Sequence, residues 1–549
     1  MKNSTIYLLT LVFLMSLTFP IFAQAPDTVW VELDDYSENY TLTETIEGDT
    51  TATGERNNPN RVYGLRNGGW YYLTGRVRNI GYHLQLTGEE RSAELHPPVV
   101  LMNIDEAGES DNPMFEASGD ISVRNIYFLC TDALGAVTKR VIVAFVEGVT
   151  VKADNCIFEY GHQTIYTDKP GVSVFATNNL VRNLMEIGPK STNYRFFIQT
   201  KKISSDTIWI ENNTFLNCPG APLAVSTVKD GQQNYFHYVH NTVVNSSCQT
   251  FHFAYWGNAT FKNNIWYSAL SMGDAESQRA KQLSDAHVPF SIIQVDTIGS
   301  DEIMPEADRV INISNNAWFV PNDILQMQAD SSHKTSPISL ITDRGAGMFA
   351  DKETWPGLSY DTASIYNEDP GFINEPDKRS EFVEFNASFL SKPYPTIDNF
   401  FDSDWLGEDV EPFAFTWPIS DDLSYTNAKL LTGSDDGTPL GDLNWFPDIT
   451  SVVDESEFKT VTSFELNQNY PNPFNPSTTI NYYLQKAGQV KLTVYNVKGQ
   501  KVKTLVDNKK INSGHHSVTF NGDALSSGVY FYKLESGKNS LMKKMLLVK

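Results

Sequence analysis

Cysteine is scarce in this chain, with four residues in 549. Cys130, Cys156, Cys218 and Cys248 follow no metal-ligand spacing, so the reading is buried thiols or at most one disulfide. A chain this long buries a large core without such staples. Long apolar runs are missing after the first two dozen residues, which leaves no transmembrane anchor. Positive charge is short too. The formal net charge is −24, which argues against a nucleic-acid partner, since that needs a basic face. No Gly-rich phosphate loop, serine-hydrolase elbow or His-Glu metal helix occurs.

What charge there is lies unevenly. From Phe464 to Lys549 the chain has twelve Lys, no Arg and four acidic residues, a net of +8, which leaves −32 on the rest. The first 23 residues read as a secretory signal peptide. Lys2 supplies its positive end, an apolar stretch runs from Ile6 to Phe22, and small Ala23 and Ala25 follow, with cleavage expected after Ala23. The mature protein is then exported, and its cysteines meet an oxidising compartment.

From about Gly119 to Phe319 the sequence repeats weakly. The unit is a short apolar strand, Asn, then another short apolar strand. Copies include Val123-Arg124-Asn125-Ile126-Tyr127-Phe128, Asn178-Asn179-Leu180-Val181, Asn212-Asn213-Thr214-Phe215 and Asn263-Asn264-Ile265-Trp266. Taking the last Asn of each copy, from Asn125 to Asn316, the spacings are 30, 24, 34, 28, 23 and 52. The last gap holds two turns, or one turn with a long insertion. A loose period of this size in β-rich sequence indicates a solenoid of strands. Asn tolerates left-handed backbone angles at a bend and can pass its amide hydrogen bonds to the same Asn one coil on.

This Asn-bend pattern, over roughly Tyr63 to Phe319, resembles the right-handed parallel β-helix of the pectate-lyase-like superfamily. The resemblance implies an all-β fold over residues 24–320. Residues 321–447 lose the repeat and read as a loop-rich continuation or cap, with the specific-looking stretch Leu440-Gly441-Asp442-Leu443-Asn444-Trp445-Phe446-Pro447. Residues 448–462 read as a linker.

Residues 463–549 read as a small β-sandwich, with strands at Thr479–Leu484, Val490–Tyr495, Lys501–Leu505, His516–Phe520, Val529–Leu534 and Met542–Val548. Pro471, Pro473 and Pro476 should hold its entrance extended and block pairing with the preceding chain. The opening Asn469–Ile480, with Tyr470, Pro471, Pro473, Phe474 and Pro476, carries a resemblance together with Ser527-Gly528-Val529-Tyr530 and the basic terminus. The segment is similar to the type A C-terminal sorting domain of type IX secretion cargo, and to the Ig-like module of flagellar hook-capping proteins. The resemblance implies the type IX machinery as a partner and export to the outer-membrane surface or beyond, with the domain usually removed.

Lyases with the β-helix fold remove the proton beside a uronate carboxyl group, which implies a cationic clamp and a base in a groove along one sheet. The basic residues Lys190 and Arg195 suit the clamp, and His252 joins them as a catalytic candidate. Tyr235, Tyr255 and Trp256 could stack on sugar rings. Tyr160, His162 and Tyr166 form a second small group. Asp154, Glu159 and Asp168 would be the carboxylates of a hydrolase. No cofactor is called for, apart from Ca2+, which the acidic run Asp105, Glu106, Glu109 and Asp111 could hold. Asn212-Asn213-Thr214-Phe215 is not followed by the Arg-His-Gly element of one alginate-lyase-type family. The expectation is a secreted or cell-surface protein engaging an extracellular polysaccharide, as a lyase or as a non-catalytic binding or adhesion protein.

Overall fold

A computed structural model describes residues 27–33, 41–51, 56–103, 113–132, 137–138, 140–184, 196–201, 205–218, 222–226, 233–247, 250–252, 254–271, 291–298, 304–330, 337–374, 376, 378–390, 417–447, 464–466, 469, 474–484, 488–498, 500–511, 514–537 and 539–548. The expected leader and linker lie outside these residues.

Short alternating strands separated by bends wind into coils. Thr150–Asp154 points Val151 and Ala153 inward, bends at Asn155, and continues as Ile157–Glu159 and then Gln163–Thr167. The next coil begins at Ser173–Thr177, parallel to Thr150–Asp154 and in register with it. Repetition builds three parallel sheets of eleven, ten and seven strands among the described residues, one strand per sheet per coil. The architecture is a parallel β-helix.

Like residues stack inside it. Ile142, Ile165, Ile198 and Leu223 follow one another in register on the inner face of the seven-stranded sheet. Phe128 and Phe158 stack with ring centroids 5.1 Å apart. Burying each such side chain contributes about 1.5–3 kcal/mol. Cys130, Cys156 and Cys218 are free and buried in this core, and burial pushes the Cys156 thiol up to about 12. Cys248 lies outside the described residues.

The Asn bends do both jobs read from the sequence, for Asn155 Nδ2 donates to Asn125 Oδ1 (2.7 Å) and Asn212 Nδ2 to Asn178 Oδ1 (2.6 Å). Left-handed angles fall on the first residue of each pair: Asn125, Asn155, Asn178, Asn212, His240, Asn263 and Asn315. A ladder of backbone N–H to side-chain amide bonds runs through the second. Asn179 N donates to Asn213 Oδ1 (2.9 Å), Asn213 N to Asn241 Oδ1 (3.0 Å), Asn241 N to Asn264 Oδ1 (2.8 Å) and Asn264 N to Asn316 Oδ1 (3.0 Å). A second ladder lies at the far end of the ten-stranded sheet. Asn183, Asn217 and Asn245 take left-handed angles there, and their side-chain amides pass hydrogen bonds from Asn245 to Asn217 and from Asn217 to Asn183.

The long Asn264–Asn316 gap holds one coil. Asn258–Lys262 pairs directly with Val310–Ser314, and Ile265–Tyr267 with Asn316–Phe319. The stack continues beyond Phe319 with Leu358–Tyr360 and Ile365–Tyr366. Helices Asn322–Asp330, Asp343–Ala350 and Arg379–Leu390 occupy a region read from sequence as loops. They pack Ile324, Met348 and Phe382 onto the main core.

A strap from Trp417 to Pro447 covers the outer face of the ten-stranded sheet. Trp417 and Ile419 pack on Tyr72, Leu101 and Tyr127, Leu423 on Leu216 and Val244, and Tyr425 and Leu440 on Ile265. Its end is pinned polar group by polar group. Gly441 N donates to Asn263 O (2.7 Å), Asp442 N to Thr242 Oγ1 (2.8 Å), Leu443 N to Asn212 Oδ1 (2.6 Å) and Trp445 Nε1 to Thr214 Oγ1 (2.8 Å). Gly441 has φ +79°, and a Cβ there would lie 2.4 Å from Thr242 Oγ1, so the strap needs glycine at this point.

The C-terminal module is a sandwich of a three-stranded and a four-stranded antiparallel sheet around Ile480, Leu492, Phe520 and Tyr532. All six expected strands are present. Contrary to the expected block, Glu465–Leu466 pairs across the proline segment with Tyr483 and Tyr482.

Candidate functional site

The two other sheets of the β-helix each carry a distinct set of side chains on the face turned away from the core, and on the seven-stranded sheet Val143, Tyr166 and Ala224 are buried there too. On the seven-stranded sheet the residues after the inward isoleucines alternate to the other face. Their column runs Glu116, Val143, Tyr166, Gln199 and Ala224, and strand register continues it to His252. Neighbouring strands lie about 4.8 Å apart. Arg140 stands at the entrance to this column, its guanidinium 3.9 Å from the Tyr166 ring centroid and its Nε donating to Gln163 Oε1 at 3.0 Å. Burial lowers the Arg140 pKa, but a guanidinium remains cationic. Burial likewise pushes the Tyr166 hydroxyl up, against the pull of Arg140. Lower in the column, Glu116 is paired with Arg76 and Arg78, each at 3.3 Å.

The eleven-stranded sheet carries an aromatic row. Lys152, Phe175, Trp209 and His237 occupy successive outward positions. Trp209 and His237 stack at 3.6 Å and 11°, so each covers a face of the other. Glu211 accepts from Trp209 Nε1 at 2.7 Å and faces His237 Nε2 at 3.3 Å. Burial works to raise the Glu211 carboxyl, but these partners hold it net below its usual value.

The expected site residues are scattered. Lys190 and Arg195 lie outside the described residues; in the chain, Arg195 directly precedes the strand Phe196–Lys201 of the seven-stranded sheet. His252 is in the same sheet, in register with Ala224. Tyr235 lies on the other sheet, half-buried beside Trp209 at 6.2 Å, and burial followed by Glu211 pushes its hydroxyl up to about 12. Tyr255 is half-buried against the main core. Trp256 does not serve as a sugar platform: it is fully buried, ringed by Phe236, Phe251 and Phe261, and its Nε1 donates to Gln294 O at 2.8 Å.

The carboxylates named for hydrolysis do not converge. Asp154 accepts from Thr177 and Asn178 on the eleven-stranded sheet. Glu159 is buried and bound by Tyr127, Asn183 and Arg182. Asp168 pairs with Lys169 at 3.2 Å. His240 closes a bend, between Gly441 O and Asn263. The run Asp105–Asp111 lies outside the described residues; among those described, no group of three His, Cys, Asp or Glu side chains could hold a metal.

Sequence reasoning passed over Arg140 and Gln199, which sit in no motif. It also missed the second ladder, although Asn183, Asn217 and Asn245 each stand five positions after a left-handed bend residue.

In the C-terminal module, Phe474 is buried and ties the entrance to the last strand, its N donating to Leu546 O and its O accepting from Val548 N, both at 2.9 Å. Pro476 O accepts from Gly522 N at 2.8 Å. Tyr470, Pro471 and Pro473 lie outside the described residues.

No helix among the described residues is long and apolar enough to cross a membrane. No curated protein and no solved structure matches the chain. Residues 468–549 match the family model of the secretion system C-terminal sorting domain. That module makes the chain cargo of the type IX secretion system, bound for the cell surface or the extracellular space.

Proposed function

We propose that the exported β-helix holds an extracellular polysaccharide along the outer face of its seven-stranded sheet. The observation that carries this reading is the register: Tyr166, Gln199, Ala224 and His252 follow one another on successive strands of one sheet. A face that repeats with each coil suits a ligand that repeats along its length. In this reading Lys190 and Arg195 bind charged groups of the polymer and His252 acts as a base toward it.

A second, non-catalytic reading as a surface binding or adhesion protein draws on one feature. Burial pushes the Tyr166 hydroxyl above its ordinary value, so at neutral pH it stays protonated and binds rather than abstracts a proton.

The test is to incubate the mature protein with alginate, pectin and glycosaminoglycans, with and without Ca2+. Ultraviolet absorbance reports unsaturated products, reducing ends report any cleavage, and co-sedimentation reports binding. Absorbance and reducing ends rising together establish a lyase. Binding without either establishes the non-catalytic role. No binding across the panel refutes the reading.

A further inference from the structure

We propose that the second Asn ladder is a polarised relay, capped by Arg379 at one end and Glu159 at the other, which couples docking of the helices at the end of the stack to docking of the strap. The relay goes beyond the polysaccharide reading and does not depend on it.

Two observations carry it. The first is what stands at the ends of the ladder. Asn183, Asn217 and Asn245 hold left-handed angles four positions after Asn179, Asn213 and Asn241. Tyr160 and Ser268 stand four positions after Cys156 and Asn264, and they keep the left-handed angle, φ +62° and +54°, without an amide. An aromatic residue takes such an angle only at a cost. At each of these two rungs a charged side chain fills the place of the amide. Beside Tyr160, Glu159 Oε1 accepts from Asn183 Nδ2 at 2.7 Å. At Ser268, Arg379 Nη1 donates to Asn245 Oδ1 and to Ser268 Oγ, both at 2.7 Å. Glu159, the three asparagines and Arg379 are all buried.

The second observation is direction. A guanidinium has donors only, and an ionised carboxylate has acceptors only. Each amide between them must therefore turn its oxygen toward Arg379 and its nitrogen toward Glu159. The hydrogen bonds keep this order throughout: Asn245 Nδ2 to Asn217 Oδ1 at 2.9 Å, Asn217 Nδ2 to Asn183 Oδ1 at 3.2 Å, then Asn183 to Glu159. Bonds in such a chain polarise one another in a low-dielectric interior. With neighbouring coils about 4.8 Å apart, the three coil steps from Glu159 to Asn245 span about 14 Å.

Each cap answers to a different outer element. Arg379 opens the helix Arg379–Leu390 and pairs with Asp323 of Asn322–Asp330 at 2.6 Å. Glu159 pairs with Arg182 at 3.1 Å, and Arg182 pairs with Asp421 of the strap at 3.1 Å. Without the cation, the amides lose the charge that orders them. Asn183 can then turn its oxygen toward Glu159, and Arg182 is drawn from Asp421 to compensate. The strap thus docks firmly here only once the last helices have closed the stack.

The test uses the full mature chain and hydrogen exchange at fixed pH. The peptides cover Trp417–Thr426, where the Ser424 and Thr426 amides are hydrogen-bonded. Thermal unfolding shows that each variant is folded. Arg379→Gln should raise exchange there about fivefold or more, the low end of ordinary coupling between sites. Arg379→Lys keeps the cation and should hold the wild-type rate. Asp323→Asn breaks the same helix–helix pair but leaves the cation on the ladder, so it should change exchange little. In an Asn217→Ala background the ladder is cut, and adding Arg379→Gln should change nothing further. An unchanged rate in Arg379→Gln overturns the relay. An equal rise in Asp323→Asn, or full additivity with Asn217→Ala, also overturns it, since the effect then passes outside the ladder. If Asn217→Ala does not fold, the contrast of Arg379→Gln with Arg379→Lys and Asp323→Asn still decides.

Discussion

Replacing Asp442 by Asn should remove most of the pH dependence with which the strap holds the β-helix. The Asp442 carboxyl is 3 % exposed, accepts from Thr214 Oγ1 at 2.7 Å and from Asn444 N at 2.9 Å, and has no cation bonded to it among the described residues. Burial pushes it up to about 7 from an ordinary 3.8, despite those two hydrogen bonds and the pull of Arg91. The folded state thus holds the proton more tightly than the unfolded state. Stability is fully present below about pH 4 and is lost as pH rises through about 7. At 1.36 kcal/mol per pH unit, the loss has a ceiling of about 4 kcal/mol. The strap can release locally, so the loss is also capped by the free energy of strap docking. His240 beside it slopes the other way, since burial lowers its pKa. Asp436 is held down to about 2 and titrates below this window. The difference between wild type and variant isolates Asp442. Hydrogen exchange of peptides covering Gly441–Leu443, corrected for intrinsic rates between about pH 4.5 and 8.5 to bracket the titration, is the assay. Wild-type protection should fall with pH and the Asp442→Asn variant should stay level. A wild type without slope, or a variant with the same slope, would refute the reasoning.

Three further outcomes are expected. Asn213→Ala removes an amide that donates to Ala176 O and Glu211 O and accepts from Asn179 N, and should cost on the order of 3 kcal/mol in urea unfolding. Trp256→Ala should cost about 3–5 kcal/mol of stability through the cavity it leaves, while glycan affinity at a permissive temperature stays unchanged. Phe474→Ala removes the buried ring that meets Phe520 at 5.9 Å, so an unstable sorting module should leave cargo in the periplasm, read as the secreted fraction on immunoblots.

The solenoid was legible because its bends demand something few side chains supply. A non-glycine residue with positive φ is costly unless it is Asn or Asp, so Asn at each corner writes the coil count into the sequence. His240 fills one such corner in place of Asn. That both residues of Asn212-Asn213 bond to neighbouring coils was not legible, because the sequence does not say which partner each amide meets. The aromatics misled for a related reason. Each corner resets the inward–outward alternation, so the sequence around Trp256 does not say whether its ring faces the core. The helices after Phe319 escaped notice because their apolar faces are short and serve the end of the stack.

The strap ends at Pro447, upstream of the sorting module, and its anchors all grip coils of the β-helix. The order of parts along the chain is therefore also an order of permissible cuts. Cleavage between Asp448 and Thr462 separates the export signal from a body whose ten-stranded face is still covered. Cleavage upstream of Gly441 would carry Asp442 and Trp445 away with the signal and bare Thr214, Thr242 and Ile265 to water. A cut that removes the module and leaves the strap in place thus has a narrow target, and the strap sets its upstream edge.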